Sequence, residues 1–349
     1  MKKIFCALAL LFSVATGFSQ TMYIANSNTG ATGGTNVFTG ANSINVAITA
    51  AAAGDIIYVV PSSVLYTDPI IDKSVSLIGG GYNPDKPGSS VSSMSSLSIN
   101  TNDVRISGLV MINYVTHQGL LSNIMIDNCR ARRVIVPNAN TVGNMIVQNC
   151  IIGENETNAP FFLQTASSNI TLSNNIIYHA DGTGAAIQGL NGGTVENNVF
   201  IAYASPGTAT AFQDVTLSNI QNNIFLGVAP VGLGTFSNNV QQNNLSFSTS
   251  NDVFSTLNGN TSVNNKEGLS PLFANVLLGT SFSFSYDLTL QAGSPAIGAG
   301  VGGTDMGVFG GLNPYDIYGT SLPIVRTITA PNTVSQGSNM DVRVEAKGN

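Results

Sequence analysis

Between about Ile124 and Phe247, apolar and polar positions follow a pattern that restarts at nearly regular intervals. Its marker is a short phrase: Asp127-Asn128-Cys129, Gln148-Asn149-Cys150, Asn174-Asn175-Ile176, Asn197-Asn198-Val199, Asn222-Asn223-Ile224 and Asn243-Asn244-Leu245. With the second residue of each phrase as origin, the spacings are 21, 26, 23, 25 and 21. One residue beyond the origin stand Cys129, Cys150, Ile176, Val199, Ile224 and Leu245; three beyond stand Ala131, Ile152, Tyr178, Ile201, Leu226 and Phe247. Apolar residues two apart have the period of a strand. A unit this short cannot bury its own apolar face, so the repeat predicts stacked coils that share one core. A coil must turn sharply between strands, and Gly and Asn adopt the left-handed conformation of a tight turn at least cost. Gly108, one such interval before Asn128 and followed by Leu109 and Met111, fits the same position. The sequence therefore predicts a structural ladder of Asn128, Asn149, Asn175, Asn198, Asn223 and Asn244, with side-chain amides bonded from coil to coil as in other stacked sheets.

The flanks break this rhythm. Ser43 to Ala53 carries Ile44, Ala47, Ile48 and Ala51 at helical spacing, with Ser43 placed to cap the start and Gly54 to close the end. That helix is expected to plug the open end of the first coil, whose bare strand edge would otherwise recruit other chains. Residues 79–88 are glycine- and proline-rich and read as a loop leaving the stack. They lack the Gly-Lys-Ser/Thr ending and following helix of a phosphate loop. From Ser248 the pattern loosens, and residues 264–311 are expected to form the last coils and the far cap. In the tail, Ile324–Thr329 and Met340–Glu345 alternate around a turn and predict a β-hairpin.

Asn at a short turn, once per coil, resembles the right-handed parallel β-helix of the pectin lyase type. Ala53-Gly54-Asp55-Ile56-Ile57-Tyr58-Val59-Val60-Pro61 is similar to the opening segment of such proteins, and Ser294-Pro295-Ala296-Ile297-Gly298 with Asp305-Met306-Gly307 to their closing segment. The resemblance, over roughly residues 40–315, implies an all-β solenoid with a short N-terminal capping helix and a C-terminal hairpin. The expected organisation is a signal peptide over 1–20, the β-helix with its caps over 21–315 and a tail over 316–349. The family contains lyases, hydrolases and binding proteins. Two functions therefore stand open: a non-catalytic scaffold that binds glycans or serves a surface role, or an enzyme that cleaves an extracellular polysaccharide.

Composition narrows the field. Charged residues are 9% of the 349 and hydrophobic ones 43%, which argues against disorder. Lys2 and Lys3, the apolar run from Ile4 to Val14 and the small residues up to Ser19 form a secretory signal. The expected location is therefore extracytoplasmic. Without the signal, ten basic residues face eighteen acids, a net charge of −8. A chain so poor in Lys and Arg is not expected to bind nucleic acid. No later stretch approaches the roughly 20 apolar residues of a membrane helix. Cys129 and Cys150 remain after cleavage on adjacent coils, within disulfide reach but pointing the same way. Two buried thiols are the favoured reading over a bond.

The motifs of polysaccharide cleavage are missing. Glycoside hydrolysis needs two carboxylates about 5 to 9 Å apart, yet the sequence has no Asp-Asp pair, Gly-His-Gly or Arg-x-Lys. No acid cluster suggests calcium, no set of ligands suggests another metal, and no cofactor is implied. The Thr residues fall at irregular offsets, against an ice-binding ladder. Charge does gather just beyond the strand that follows each Asn: Arg132 and Arg133, then Glu154 and Glu156, then His179 and Asp181, then Tyr203. Stacking would bring them onto one face. Arg could hold a carboxylate with a two-pronged hydrogen bond, and Tyr could stack on a sugar ring. The same residues also suit a solvated ladder of weak ion pairs. They are the candidate carbohydrate site; no catalytic residue is assigned.

Overall fold

A computed structural model describes residues 20–83, 91–137, 140–154, 158–179, 184–202, 209–247, 251–280 and 282–315, and the backbone of 324–329 and 343–347. The segment before Gln20, most of the loop after Asn83, and Glu156, Asp181 and Tyr203 lie outside the described residues. The chain forms a parallel β-solenoid of about nine turns. Its register follows the repeat: Ile124 pairs with Met145, and Met145 with Ile170; Val199 pairs with Ile224, and Ile224 with Leu245.

Two columns of left-handed residues turn the chain. One holds Gly108, Asn128, Asn149, Asn174, Asn197, Asn222, Asn243 and Asn264, with φ between 51° and 66°. The other holds Asp103, Asn123, Asn144, Asn169, Gly192, Leu217, Asn238 and Gly259, with φ between 53° and 77°. In each of these eight coils the two corners are five residues apart. Four residues thus make a short face, with the first and third pointing inward, as Ile124 and Ile126 or Ile170 and Leu172 do. Coil length varies only outside this face.

This geometry corrects the ladder read from the sequence. Asn128 and Asn149 are corner residues, but from the third phrase onward the corner is the first Asn, not the second. Asn175, Asn198, Asn223 and Asn244 sit one residue inside, with no exposed surface, and are rungs of a buried amide ladder. Each rung's Oδ1 accepts the backbone N–H of the rung before it at 2.8–2.9 Å, from Cys150 to Asn175, Asn198, Asn223, Asn244 and finally Asn265. Between Asn rungs a side-chain bond of 3.0 Å runs alongside. Cys129 and Cys150 continue the ladder upward. Cys150 Sγ accepts from the Cys129 N–H at 3.4 Å and donates to Ile126 O, the place where the Asn175 amide meets Val147 O one coil later. Both thiols are free and buried, and burial pushes the Cys150 thiol well above its ordinary range. A shorter ladder of Ser218, Asn239 and Asn260 follows the second corner.

The interior is filled by aligned side chains, including Phe200 stacked on Phe225 at 4.7 Å and Phe254 set edge-on against Phe225. At the N-terminal end a helix spans Ser43–Ala50, shorter than the Ser43–Ala53 expected, and buries Ile44, Ala47 and Ile48 against the first coil. Its caps differ from the sequence reading. Asn42 stands at the N-cap, Ser43 lies inside the helix with a buried hydroxyl, and Ala51 rather than Gly54 is the C-cap. Lys73 Nζ donates to the final carbonyls, Thr49 O and Ala51 O, at 2.6 and 2.8 Å. A cation at a helix C-terminus also opposes its dipole.

At the other end Thr261–Val263 is the last strand of the short face, pairing with Val240–Gln242. Asn264, Asn265 and Lys266 continue the stack for the start of one more coil, with Lys266 bridged in parallel to Leu245, and the rest of the 264–311 stretch forms the far cap rather than further coils. Phe273–Asn275 pairs antiparallel with Asp287–Leu290, and the chain then runs back along the first corner column. Corner amides hold this return segment: Asn243 Nδ2 donates to Ala299 O, and Asn174 Nδ2 to Val308 O and Gly310 O, at 2.7–2.9 Å. Asn222 Oδ1 accepts from the Val301 N–H at 2.8 Å. Under the segment lies a column of outward-pointing residues, Ile151, Ile176, Val199, Ile224 and Leu245, buried by Leu288, Ala296, Met306 and Val308. Contact is close enough that a Cβ on Gly307 would lie 2.8 Å from Ile224 Cδ1, and φ is +84° there. In the tail, Ile324–Thr329 is antiparallel to Arg343–Lys347, and Met340, Asp341 and Val342 of the expected second strand lie outside the described residues. No helix among the described residues is long and apolar enough to cross a membrane.

Candidate functional site

The charged residues singled out in the sequence separate in space. Arg132 and Glu154 line one cavity of about 270 Å³, whose other walls are Val110, Met111, Ile112, Asn113, Arg130 and Ala131. Arg130, which the sequence reading passed over, is the partner of Glu154. Its Nε donates to Glu154 Oε2 at 2.7 Å, and its guanidinium lies 5.3 Å from the centre of the Phe284 ring. Arg133 faces elsewhere. The strand register shifts between Ala131 and Arg133, and Arg133 lies between the Tyr114 and Phe162 rings, at 6.0 and 5.6 Å, donating to Ala159 O. His179 is fully buried, with Nε2 3.0 Å from Gly184 O, so it presents no group to a ligand at the surface. The single face expected for these residues is not formed by the described ones. Strand alternation and one bulge divide them, which sequence offsets alone do not register.

A second concavity was not foreseen. It measures about 300 Å³ and runs beside the first corner column, between the outer side of the short face and the return segment. Its walls are Ser173, Asn174, Glu196, Asn197, Gln221 and Asn222 on one side and Val301, Thr304, Gly311, Leu312 and Asn313 on the other. The polar groups of the short face are ordered: Gln242 Nε2 donates to Gln221 Oε1, and Gln221 Nε2 to Glu196 Oε2, each at 2.8 Å. Asn219 Nδ2 also donates to Gln221 Oε1 at 3.0 Å, fixing the amide. The corner amides are engaged with the return segment, so the far wall is anchored. The signal in the sequence was the run of polar residues immediately before each corner Asn: Ser173, Glu196, Gln221 and Gln242. A third, mostly apolar cavity of about 260 Å³ lies within the closing segment, between Phe273, Leu288, Ile297, Met306 and Phe309.

Tyr178, Gln241 and His117 are buried polar side chains that belong to none of these walls. Tyr178 is fully buried beside Phe282, and burial raises its phenol far above the usual range. Gln241 points into the core, where its amide donates to Ser255 O. His117 lies in the solenoid interior with Nδ1 3.3 Å from Ile135 O and Nε2 without a partner. Burial lowers its pKa from 6.5 to about 4. As pH falls through 6.5, the unfolded chain takes up a proton that the folded chain still refuses, so stability drops toward pH 4. Between pH 7 and 5 this one group removes about 2 kcal/mol. Urea unfolding at both pH values should show that loss shrinking by the same amount in His117→Leu; an unchanged pH slope would place the acid sensitivity in other groups. Among the described residues no group of three or more His, Cys, Asp or Glu is placed to hold a metal ion.

No protein-family model matches this sequence, and no curated protein matches it.

Proposed function

We propose that this chain is an exported β-solenoid that binds a glycan in the groove beside the first corner column and does not cleave it. The observation that carries this reading is the groove's lining of amides and hydroxyls, in which Glu196 and Gln221 are held in one orientation by a hydrogen bond to each other and by one from Gln242 next along the face. Sugar hydroxyls both donate and accept, and a row of fixed amides and a carboxylate meets them without reorganisation. Glu196 is the one ionisable side chain among the described residues that line the groove. Two carboxylates about 5 to 9 Å apart are the usual requirement for hydrolysis of a glycosidic bond, so the lining favours binding over hydrolysis. Export rests on the basic and apolar pattern of residues 2–19. A right-handed winding of the coils is favoured because nearly all parallel β-crossovers have that hand.

The mature chain, incubated with a panel of neutral and acidic polysaccharides, is expected to be retarded in affinity gels by at least one neutral glycan. Glu196→Ala and Gln221→Ala should each weaken retardation by about tenfold, the loss of one to two charge-assisted or neutral hydrogen bonds. New reducing ends or unsaturated products would transfer the chain to the cleaving enzymes. Retardation unaltered in both variants would remove the groove from the account.

A further inference from the structure

The groove beside the first corner column holds charge of one sign only. We infer, resting on the glycan-binding reading above, that the glycan held there bears primary amines, and that the Glu196 carboxylate takes an ammonium group of that chain.

Strand register places Ser107, Asp127, Gln148 and Ser173 in one column with Glu196, Gln221 and Gln242, each the last residue before a corner. Two members of the column are acids, and the chain treats them differently. Asp127 is answered from within: Arg105 donates through Nε and Nη2 to its two oxygens, each at 2.9 Å, and Asp127 is 1% exposed. Glu196 is not answered. Neither ion pair among the described residues includes it, and no Lys or Arg is among the described residues that line the groove. The neighbouring amides hold it without neutralising it. Gln242 donates to Gln221, and Gln221 to Glu196 Oε2, each at 2.8 Å, so the row runs donor-first toward the carboxylate. Glu196 Oε1 receives no hydrogen bond among the described residues. The side chain is half-buried, so a charge brought to it is screened less than on an open surface.

An ammonium has three donors and no acceptor, and its bond to a carboxylate is roughly twice as strong as one between neutral groups. A glycan carboxylate or sulfate would instead meet Glu196 as a like charge, on a chain whose net charge is already −6. Neighbouring coils lie about 5 Å apart. Ser173, Glu196 and Gln221 therefore mark out about 10 Å along the groove, with a hydroxyl and an amide for the sugars on either side of the one whose amine meets Glu196.

Titration calorimetry of the full chain tests this with three linear tetrasaccharides at mildly acidic pH, where the amines are charged: β-1,4-linked glucosamine, its fully N-acetylated form and α-1,4-linked galacturonate. The glucosamine chain should bind about tenfold more tightly than the acetylated one, and galacturonate more weakly than either. Glu196→Gln keeps an oxygen for the Gln221 amide and loses the charge. It should bring glucosamine down to the affinity of the acetylated chain and leave the latter within about twofold. Asp287→Asn, which removes an exposed carboxylate outside the groove, should keep the parent's ratio. Circular dichroism of both variants should match the parent. A glucosamine preference that survives Glu196→Gln, or that falls equally in Asp287→Asn, assigns the attraction to the net charge of the surface and overturns the inference. So does equal binding of the glucosamine and acetylated chains by the parent, and so does tighter binding of galacturonate; each of these leaves the glycan-binding reading standing. No heat from any of the three chains removes that reading, and this inference with it.

Discussion

Asn198→Ala is expected to lower the unfolding free energy by about 4 kcal/mol, among the largest effects of any single side-chain truncation in the chain. Asn198 is the middle of the buried ladder. Its Oδ1 accepts the backbone N–H of Asn175 at 2.9 Å and the Asn175 amide at 3.0 Å. Its own amide donates to Leu172 O, Glu196 O and Asn223 Oδ1 at 2.9–3.0 Å. Alanine removes five bonds at a site with no exposed surface, where water cannot replace them. Each buried group left unpaired costs about 1–3 kcal/mol, and small shifts of neighbouring coils recover part of the total. Asn265→Ala, at the half-exposed last rung, should cost about 1 kcal/mol. Urea titrations of the two variants check the difference; equal midpoints would mean that the ladder bonds contribute nothing beyond their exposed counterparts.

The second large effect is local. Val308→Asp places a carboxylate in the seam between the return segment and the column of Ile176, Val199 and Ile224, where Val308 is 1% exposed. An unpaired charge there costs several kcal/mol, on the order of 3–5. The segment has a cheaper escape than global unfolding, since it is held to the stack by corner amides and apolar contact rather than by strand pairing. The expected result is a detached segment with its coils intact: far-ultraviolet dichroism unchanged, protease cleavage between 299 and 311, and binding of a hydrophobic dye to the bared column. Leu312→Asp, at a residue 99% exposed, should do none of these. A variant that melts as one unit with lost dichroism would show the segment to be integral to the coils.

The coils were legible in the sequence because a strand's period of two survives varied coil length, and because only Asn and Gly tolerate the corner. The register was not. In Asn174-Asn175 and Asn197-Asn198 the two residues look alike and do opposite things: the first is left-handed and faces out, the second is extended and faces in. Cys129 and Cys150 hide the rung position further, since a thiol does not read as an amide although it bonds at the same place. Leu217 disguises the second corner, because leucine is rare at φ of +53°. The constant five-residue interval between corners was the signal that would have resolved both. The candidate site was only partly legible. The accumulation of arginine between 130 and 133 was visible, but which of them share a wall depends on a bulge. The groove depends on a segment that returns from far downstream in the chain, and no local pattern announces such a contact.

The account stands most directly on the different roles given to adjacent asparagines, and the pair Asn197→Gly and Asn198→Gly tests it. Glycine keeps the left-handed corner at 197, where the side chain makes only bonds of 3.3–3.4 Å to Asp305 O, Gly307 O and Asn222, so Asn197→Gly should cost about 1 kcal/mol or less. Glycine restores nothing at 198, so Asn198→Gly should lose at least as much as Asn198→Ala, about 4 kcal/mol. Urea unfolding of the two variants under one condition gives the answer. A gap of about 2 kcal/mol or more in that direction is the predicted result; equal losses, or a larger loss at 197, would contradict the buried ladder and the register built on it.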